Sequence, residues 1–204
     1  MTGYYVAIEG GDGVGKTTVV GMLTEALTRR GEEVVSVREP GSTELGDEVR
    51  RLLLHWQHMS PWAEALLYAA QRAQLVSETI APALARGAFV LSDRSLYSSL
   101  AYQGAARGLG IEPVRTVNEL AVSGLFPDLV AVLMVDVATA LSRQEISDRI
   151  GGEDDEFHEA VVQGYRTLAA AEPERVRMIE VGGPPGTVAD QILGLIDQAR
   201  GIRA

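Results

Sequence analysis

A chain of 204 residues, 46% hydrophobic and 23% charged, is long enough for one α/β unit with a substantial core. It has no cysteine, which excludes disulfides, thiolate catalysis and zinc–cysteine sites, and suits the cytoplasm. No apolar run approaches the ~18 residues of a membrane span, the first residues show no secretory signal, and a net charge of −10 without any basic run argues against a polynucleotide ligand.

The first apolar run, Tyr4–Ile8, leads into Gly10-Gly11-Asp12-Gly13-Val14-Gly15-Lys16-Thr17, a full match to G-x-x-x-x-G-K-[ST], followed by Thr18 and a helical pattern. Strand, glycine loop and helix together turn this motif into a phosphate site. The glycines let backbone N–H groups point inward at phosphate oxygens, and the helix N-terminus adds partial positive charge. Lys16 is placed to reach the β- and γ-phosphates, and the Thr17 hydroxyl to ligate Mg²⁺. Asp12 is unusual inside such a loop. It would repel triphosphate unless it meets metal or a sugar hydroxyl; alternatively it is a turn residue, since Asp-Gly is a common turn pair.

Further apolar runs at Glu33–Val37, Ala88–Ser92, Leu129–Val135 and Val176–Val181 alternate with helical patterns. That order predicts a largely parallel sheet with helices on both faces and a ligand at the carboxyl ends of the strands. Three strand ends carry charge or glycine there: Glu9-Gly10, Arg38-Glu39-Pro40-Gly41 and Asp93-Arg94. Asp93 ends an apolar run, as a second metal-side carboxylate should. The longest helical pattern runs from Ser60, with Ser60-Pro61 as its start and Gly87 as its stop; Pro82 predicts a kink or early end. Tyr68 and Arg72 share a face of this helix, a spacing that also fits a part-buried tyrosine beside a solvated arginine. Residues 142–158 are polar with a Gly-Gly break, which suits either a lid, about 142–155, or a plain exposed connection.

Ordered motifs cover nearly the whole chain: Ile8 to Thr18, Arg38-Glu39-Pro40-Gly41-Ser42-Thr43, Leu66 to Gln74, and Asp93-Arg94 with Ser98-Ser99-Leu100-Ala101-Tyr102-Gln103-Gly104. Pro127-Asp128-Leu129 and Glu156 through Tyr165 continue them. Together they resemble the bacterial thymidylate kinases. The resemblance implies a P-loop NTPase fold with a five-stranded parallel sheet and a short lid, in one domain over residues 1–204. It implies Mg²⁺-dependent transfer from ATP to dTMP in a homodimer, with neither a nucleic acid polymer nor a membrane as partner.

It also implies roles. Arg72 would donate to the thymine carbonyl, Tyr68 would stack on the base, and Ser99 and Gln103 would read its edge. Arg94 and Arg50 would hold the acceptor phosphate, with Ser98 in the same motif, and Tyr102 would pack on the deoxyribose. Glu39 would lie near the acceptor phosphate and metal. Thr17, Asp93 and Asp12 would serve the metal, with Asp12 near metal or sugar. The chain departs from the family at Ser42, Gln71, Ser95, Tyr97 and Gly151. Gly13 leaves the glycine loop without an arginine, so Arg149, with Arg143 behind it, is expected to stabilise the transferring phosphoryl group beside Lys16 and Arg94. Two other readings are a kinase for a different pyrimidine or modified nucleotide, and a nucleotide-binding regulatory ATPase.

Overall fold

The computed structural model describes residues 3–135 and 149–201. The expected strands form within two residues of their predicted limits: β1 (Tyr4–Gly10), β2 (Val34–Arg38), β3 (Phe89–Asp93), β4 (Leu129–Met134) and β5 (Val176–Glu180). They make one parallel sheet in the order β2-β3-β1-β4-β5. The three inner strands are buried almost throughout, whereas β2 and β5 at the edges are only partly covered. Continuous apolar runs are what a parallel sheet covered on both faces demands.

Side chains alternate between the two faces. Val6 and Ile8 of β1 point toward α1 (Lys16–Arg29) and α8 (Pro185–Ala199), packing against Leu23, Leu27, Ile192 and Ile196. Tyr5 and Ala7 point the other way, into a larger layer. That layer is built from α3 (Pro61–Leu75), α5 (Leu96–Ser99), α6 (Ile111–Val122) and α7 (Asp155–Ala171). Helix α2 (Glu44–His55) packs beside α3, which packs beside α6. Among the described residues, no helix is long and apolar enough to cross a membrane.

The long helix shows how a proline is accommodated. Ser60 caps it by accepting from the Ala63 amide, with Pro61 in the first turn. α3 ends at Leu75, a π-helical turn covers Val76–Ile80, and α4 (Ala81–Ala85) begins afresh with Pro82 in its first turn. The widened turn puts Pro82 where its missing N–H costs nothing. A second π-helical stretch, Leu100–Ala106, extends α5.

The polar stretch is shorter than expected. Asp154 accepts from the Phe157 amide at 2.9 Å and caps α7, so Asp155 to His158 belong to a helix. Of the expected lid, 142–148 lies outside the described residues, and so does Arg143.

The sheet register sets up the site. Arg38, Asp93 and Ile8 lie in one row, and Gly10 pairs with Leu133. The residues that follow, Glu39, Arg94 and Glu9, therefore emerge together at one end of the sheet.

Candidate active site

The glycine loop turns on three positive-φ glycines, Gly10, Gly13 and Gly15. Gly10 has a second constraint, since a Cβ there would come within 2.5 Å of the Leu133 carbonyl oxygen. Lys16 folds back over the loop, donating from Nζ to the Gly11 oxygen at 2.6 Å and the Gly10 oxygen at 3.3 Å, with the Asp12 carboxylate 3.9 Å away. Burial, helped by the Arg94 charge, pulls the Lys16 ammonium down to a pKa of about 8 despite nearby carboxylates. The Thr17 hydroxyl donates to Asp93 Oδ2 at 2.7 Å, so the two expected metal-side residues face each other.

Arg94 adopts a left-handed backbone, φ 74°, unusual for a residue with a side chain. That twist lets its guanidinium span the site. Nη1 donates to the Gly10 oxygen at 3.1 Å, Ser98 Oγ at 3.2 Å and Tyr102 OH at 3.4 Å, while Nη2 pairs with Asp12. Burial works against the Asp12 charge, but Arg94 and Lys16 outweigh it and hold the carboxyl below its usual range. Asp12 thus engages both neighbouring cations, Arg94 and Lys16.

Beside the loop opens a cleft of about 470 Å³ lined by Asp12, Glu39, Pro40, Arg50, Leu54, Tyr68, Arg94, Ser98, Tyr102, Gln103 and Ile150. Most of the expected acceptor residues are brought together here. Arg50 is held at its mouth by donating to the Pro40 carbonyl at 3.0 Å.

Arg72 and Ser99 lie behind the wall rather than on it. Arg72 is 1% exposed. Its Nε donates to Glu39 Oε2 at 2.6 Å, Nη1 to Ser99 Oγ at 3.2 Å and to Asn118 Oδ1, and Nη2 to the Ser95 carbonyl at 3.1 Å. Four of an arginine's five N–H donors are committed, leaving one on Nη2. Gln71 supports the same carboxylate at 3.1 Å and accepts from the Gly41 amide at 3.2 Å, which accounts for that departure from the family. Burial pushes the Glu39 carboxyl up even beside Arg72. Its Oε1 is buried and has no hydrogen-bond partner among the described residues, although Glu39 lines the cleft.

The other departures also find places. Ser95 caps α5 and donates to Glu9 Oε1 at 2.7 Å. Tyr97 is turned away from the cleft, donating to Glu172 at 2.6 Å. Ser42 takes a positive φ, 66°, while its hydroxyl accepts from the Arg38 amide. Arg149 does not join Lys16 and Arg94. Its Nη1 pairs with Glu64 at 2.6 Å and its Nε donates to the Leu53 carbonyl at 3.0 Å.

Asn118 and Glu64 escaped the sequence reading of the site, and Glu9 entered it only as a strand end. Glu9 accepts from Ser95, Ser98 and Tyr165 at the root of the glycine loop. Asn118 buttresses Arg72, and Glu64 holds Gln103 at 2.7 Å. Asn118 stands four residues from both Val114 and Val122, and Glu64 four before Tyr68. A polar residue in phase with a buried helical stripe was the available signal.

A glycine loop of the phosphate-binding type and a neighbouring cleft that share one guanidinium suit phosphoryl transfer between two nucleotides. Fold and site together define a P-loop nucleoside monophosphate kinase. The comparisons narrow this. The family model for thymidylate kinase matches residues 8–192. The thymidylate kinase of Synechococcus sp. (strain JA-3-3Ab) is 47% identical over 94% of each chain, and that of Clavibacter sepedonicus 48% identical over 94% of this chain and 93% of its own. The crystal structure of thymidylate kinase from Ehrlichia chaffeensis superposes with a TM-score of 0.82 at 27% identity, covering 96% of this chain and 100% of that one. The chain belongs to the thymidylate kinase family.

Proposed function

We propose that the protein transfers the γ-phosphoryl group of ATP to dTMP, giving ADP and dTDP for nucleotide biosynthesis. The observation that carries this reading is Arg94, which joins the Gly10 carbonyl and Asp12 of the loop to Ser98 and Tyr102 of the cleft. A guanidinium so placed faces both the acceptor phosphate and the transferring group, and its planar fork suits both.

The roles follow from placement. The amides of Gly11 to Thr18 and the Lys16 ammonium hold the donor phosphates. Arg94 and Arg50 hold the phosphate of dTMP, and Tyr68 and Gln103 bound the base. The Tyr102 ring fills the floor beside the sugar. Arg72 supports the base side from behind the wall, through its ion pair with Glu39 and its bonds to Ser99 and Asn118. The orphaned Glu39 Oε1 is an acceptor awaiting a donor or cation from the ligands. In the reaction an acceptor phosphate oxygen bonds to the γ-phosphorus while the bond to the β–γ bridging oxygen breaks. The acceptor is already a dianion at neutral pH, so no strong general base is needed.

Mg²⁺ fits the residues present. Thr17 Oγ1 and Asp93 Oδ2 offer hard oxygen donors 2.7 Å apart. Among the described residues no group of three or more His, Asp or Glu forms an all-protein cage. Mg²⁺ is commonly held by one or two protein oxygens together with waters and phosphates. When bound it neutralises charge on the β- and γ-phosphates.

The test is a panel of dTMP, dUMP, UMP and dCMP in a coupled ADP-release assay. A site that donates to the base 4-carbonyl should favour thymine over cytosine by ~5- to ~150-fold, the equivalent of 1–3 kcal/mol for a mismatched buried donor. Turnover of another acceptor far above that of dTMP would overturn the reading, as would dTMP binding without product. The cytoplasm, which holds ATP and nucleotide pools, is the compartment this function requires.

We also infer a homodimer. Trp62 and Leu66 are exposed four residues apart on α3, with Leu45 on adjoining α2 and Leu120 on adjoining α6. Exposed apolar surface spread over three adjacent helices suits a self-complementary partner. Light scattering should give twice the chain mass, and Trp62→Glu should shift it toward the monomer; a wild-type monomer at micromolar concentration would refute the dimer.

A further inference from the structure

Glu64 is a buried carboxylate with more partners than a structural role in α3 requires. It is 1% exposed and lies one turn before Tyr68. Its oxygens serve two directions. Oε1 accepts from Gln103 Nε2 at 2.7 Å and from Arg107 Nε at 3.4 Å. Oε2 pairs with Arg149 Nη1 at 2.6 Å and lies 3.4 Å from Arg107 Nη2, which in turn meets Glu153 at 2.6 Å.

Residue 149 is fixed at two further points. Its amide donates to the Leu54 carbonyl at 3.2 Å and its Nε to the Leu53 carbonyl at 3.0 Å, both at the end of α2. The next residue, Ile150, is buried and lines the acceptor cleft with Leu54, Tyr68 and Gln103. One carboxylate therefore sets two parts of the cleft wall: Gln103 from inside, and the Arg149-Ile150 backbone from outside. Removing one partner of a buried ion pair leaves the other charge uncompensated, so a change at either end disturbs the rest of the network.

We propose that Glu64 and Arg149 form a positioning pair that shapes the base side of the acceptor cleft. Arg149 then acts on acceptor binding, not as a charge on the transferring phosphoryl group. The inference rests on the cleft taking dTMP. It predicts a division of effects that a phosphate-binding arginine would not give. Loss of Arg149 should change the affinity for acceptor and leave the reacting phosphates alone.

The test is a double-mutant cycle of Glu64→Gln and Arg149→Gln, with Arg149→Lys as the conservative variant. It reads kcat, KM for each substrate and calorimetric dTMP binding. Each single change should raise the KM and Kd for dTMP by about 10-fold or more, with ATP KM unchanged and kcat within about threefold. The double variant should be no worse than the poorer single one, because both changes break the same pair. Arg149→Lys, which keeps the charge, should recover most of the loss. A fall in kcat of ~10³ or more in Arg149→Gln with dTMP binding intact would overturn the proposal, since that is the mark of transition-state charge stabilisation. Multiplicative losses in the double variant would overturn it too. Should Glu64→Gln fail to fold, Arg149→Gln against Arg149→Lys decides the same question through the KM–kcat split. If wild-type protein prefers another acceptor, the thymidylate reading fails, and the same split measured with that acceptor still decides the role of Arg149.

Discussion

Lys16→Ala is expected to lower kcat by about 10³-fold while leaving dTMP affinity within about threefold, on the scale of losing one preorganised charge at a developing phosphoryl transition state. Lys16 is buried, lies against the Gly10 and Gly11 carbonyls, and does not line the acceptor cleft. Its loss should therefore fall on the donor side. The pH dependence supplies a second reading of the same residue. With its pKa drawn down from 10.5 to about 8 by burial and by Arg94, the ligand-free lysine loses its proton as pH rises past 8. ATP phosphates favour the charged form, so binding above that pH must take up a proton. The ATP KM should then climb by about tenfold per pH unit, because each unit costs 1.36 kcal/mol. Lys16→Ala should abolish that slope, and a flat wild-type profile between pH 7 and 9.5 would contradict it. Stability should move the other way. The unfolded chain holds this proton up to its ordinary pKa, so folding is disfavoured by the depressed lysine below pH 8 and gains as pH rises toward 10.5.

The glycine loop and the strand ends were legible because they are local. Gly10, Gly13 and Gly15 are glycines for backbone reasons that sequence spacing preserves, and a strand ends where its apolar run ends. The parallel sheet then brings Glu9, Glu39 and Arg94 together by topology alone, since right-handed crossovers leave few alternatives. What resisted reading was depth and long-range pairing. Spacing puts Tyr68 and Arg72 on one face of α3, but it does not say that Tyr68 lines the cleft while Arg72 sits behind it. Arg149 is expected at the transferring phosphoryl group because Gly13 leaves the loop without an arginine; it pairs with Glu64, 85 residues away and on another element. Tyr97, a departure from the family close to Arg94 in sequence, is turned away from the cleft by its bond to Glu172. Each of these depends on a contact made across the fold, which no window of sequence contains.

That depth changes what Arg72→Ala should do. Were the arginine a solvated reader of the base, its loss would weaken dTMP binding and little else. Instead it is the ion-pair partner of Glu39, which is itself 2% exposed and has one oxygen already without a hydrogen bond. Removing it leaves a buried carboxylate with Gln71 as its remaining side-chain donor. Breaking one side of such a pair costs about 3–5 kcal/mol. For a chain of this size, at roughly 2–4 °C per kcal/mol, Tm should fall by about 6–20 °C. Arg72→Lys should rescue only partly, because three ammonium donors cannot reproduce the fork that reaches Glu39, Ser99, Asn118 and the Ser95 carbonyl. Combining Arg72→Met with Glu39→Gln separates the two roles. It removes the buried charge and restores apolar volume, so Tm should recover at least half of the loss while dTMP affinity stays low. A single Arg72→Ala variant that melts within 2 °C of wild type (the ~0.5–1 kcal/mol level) would show that the pair does not hold the fold, and that base reading alone explains the arginine.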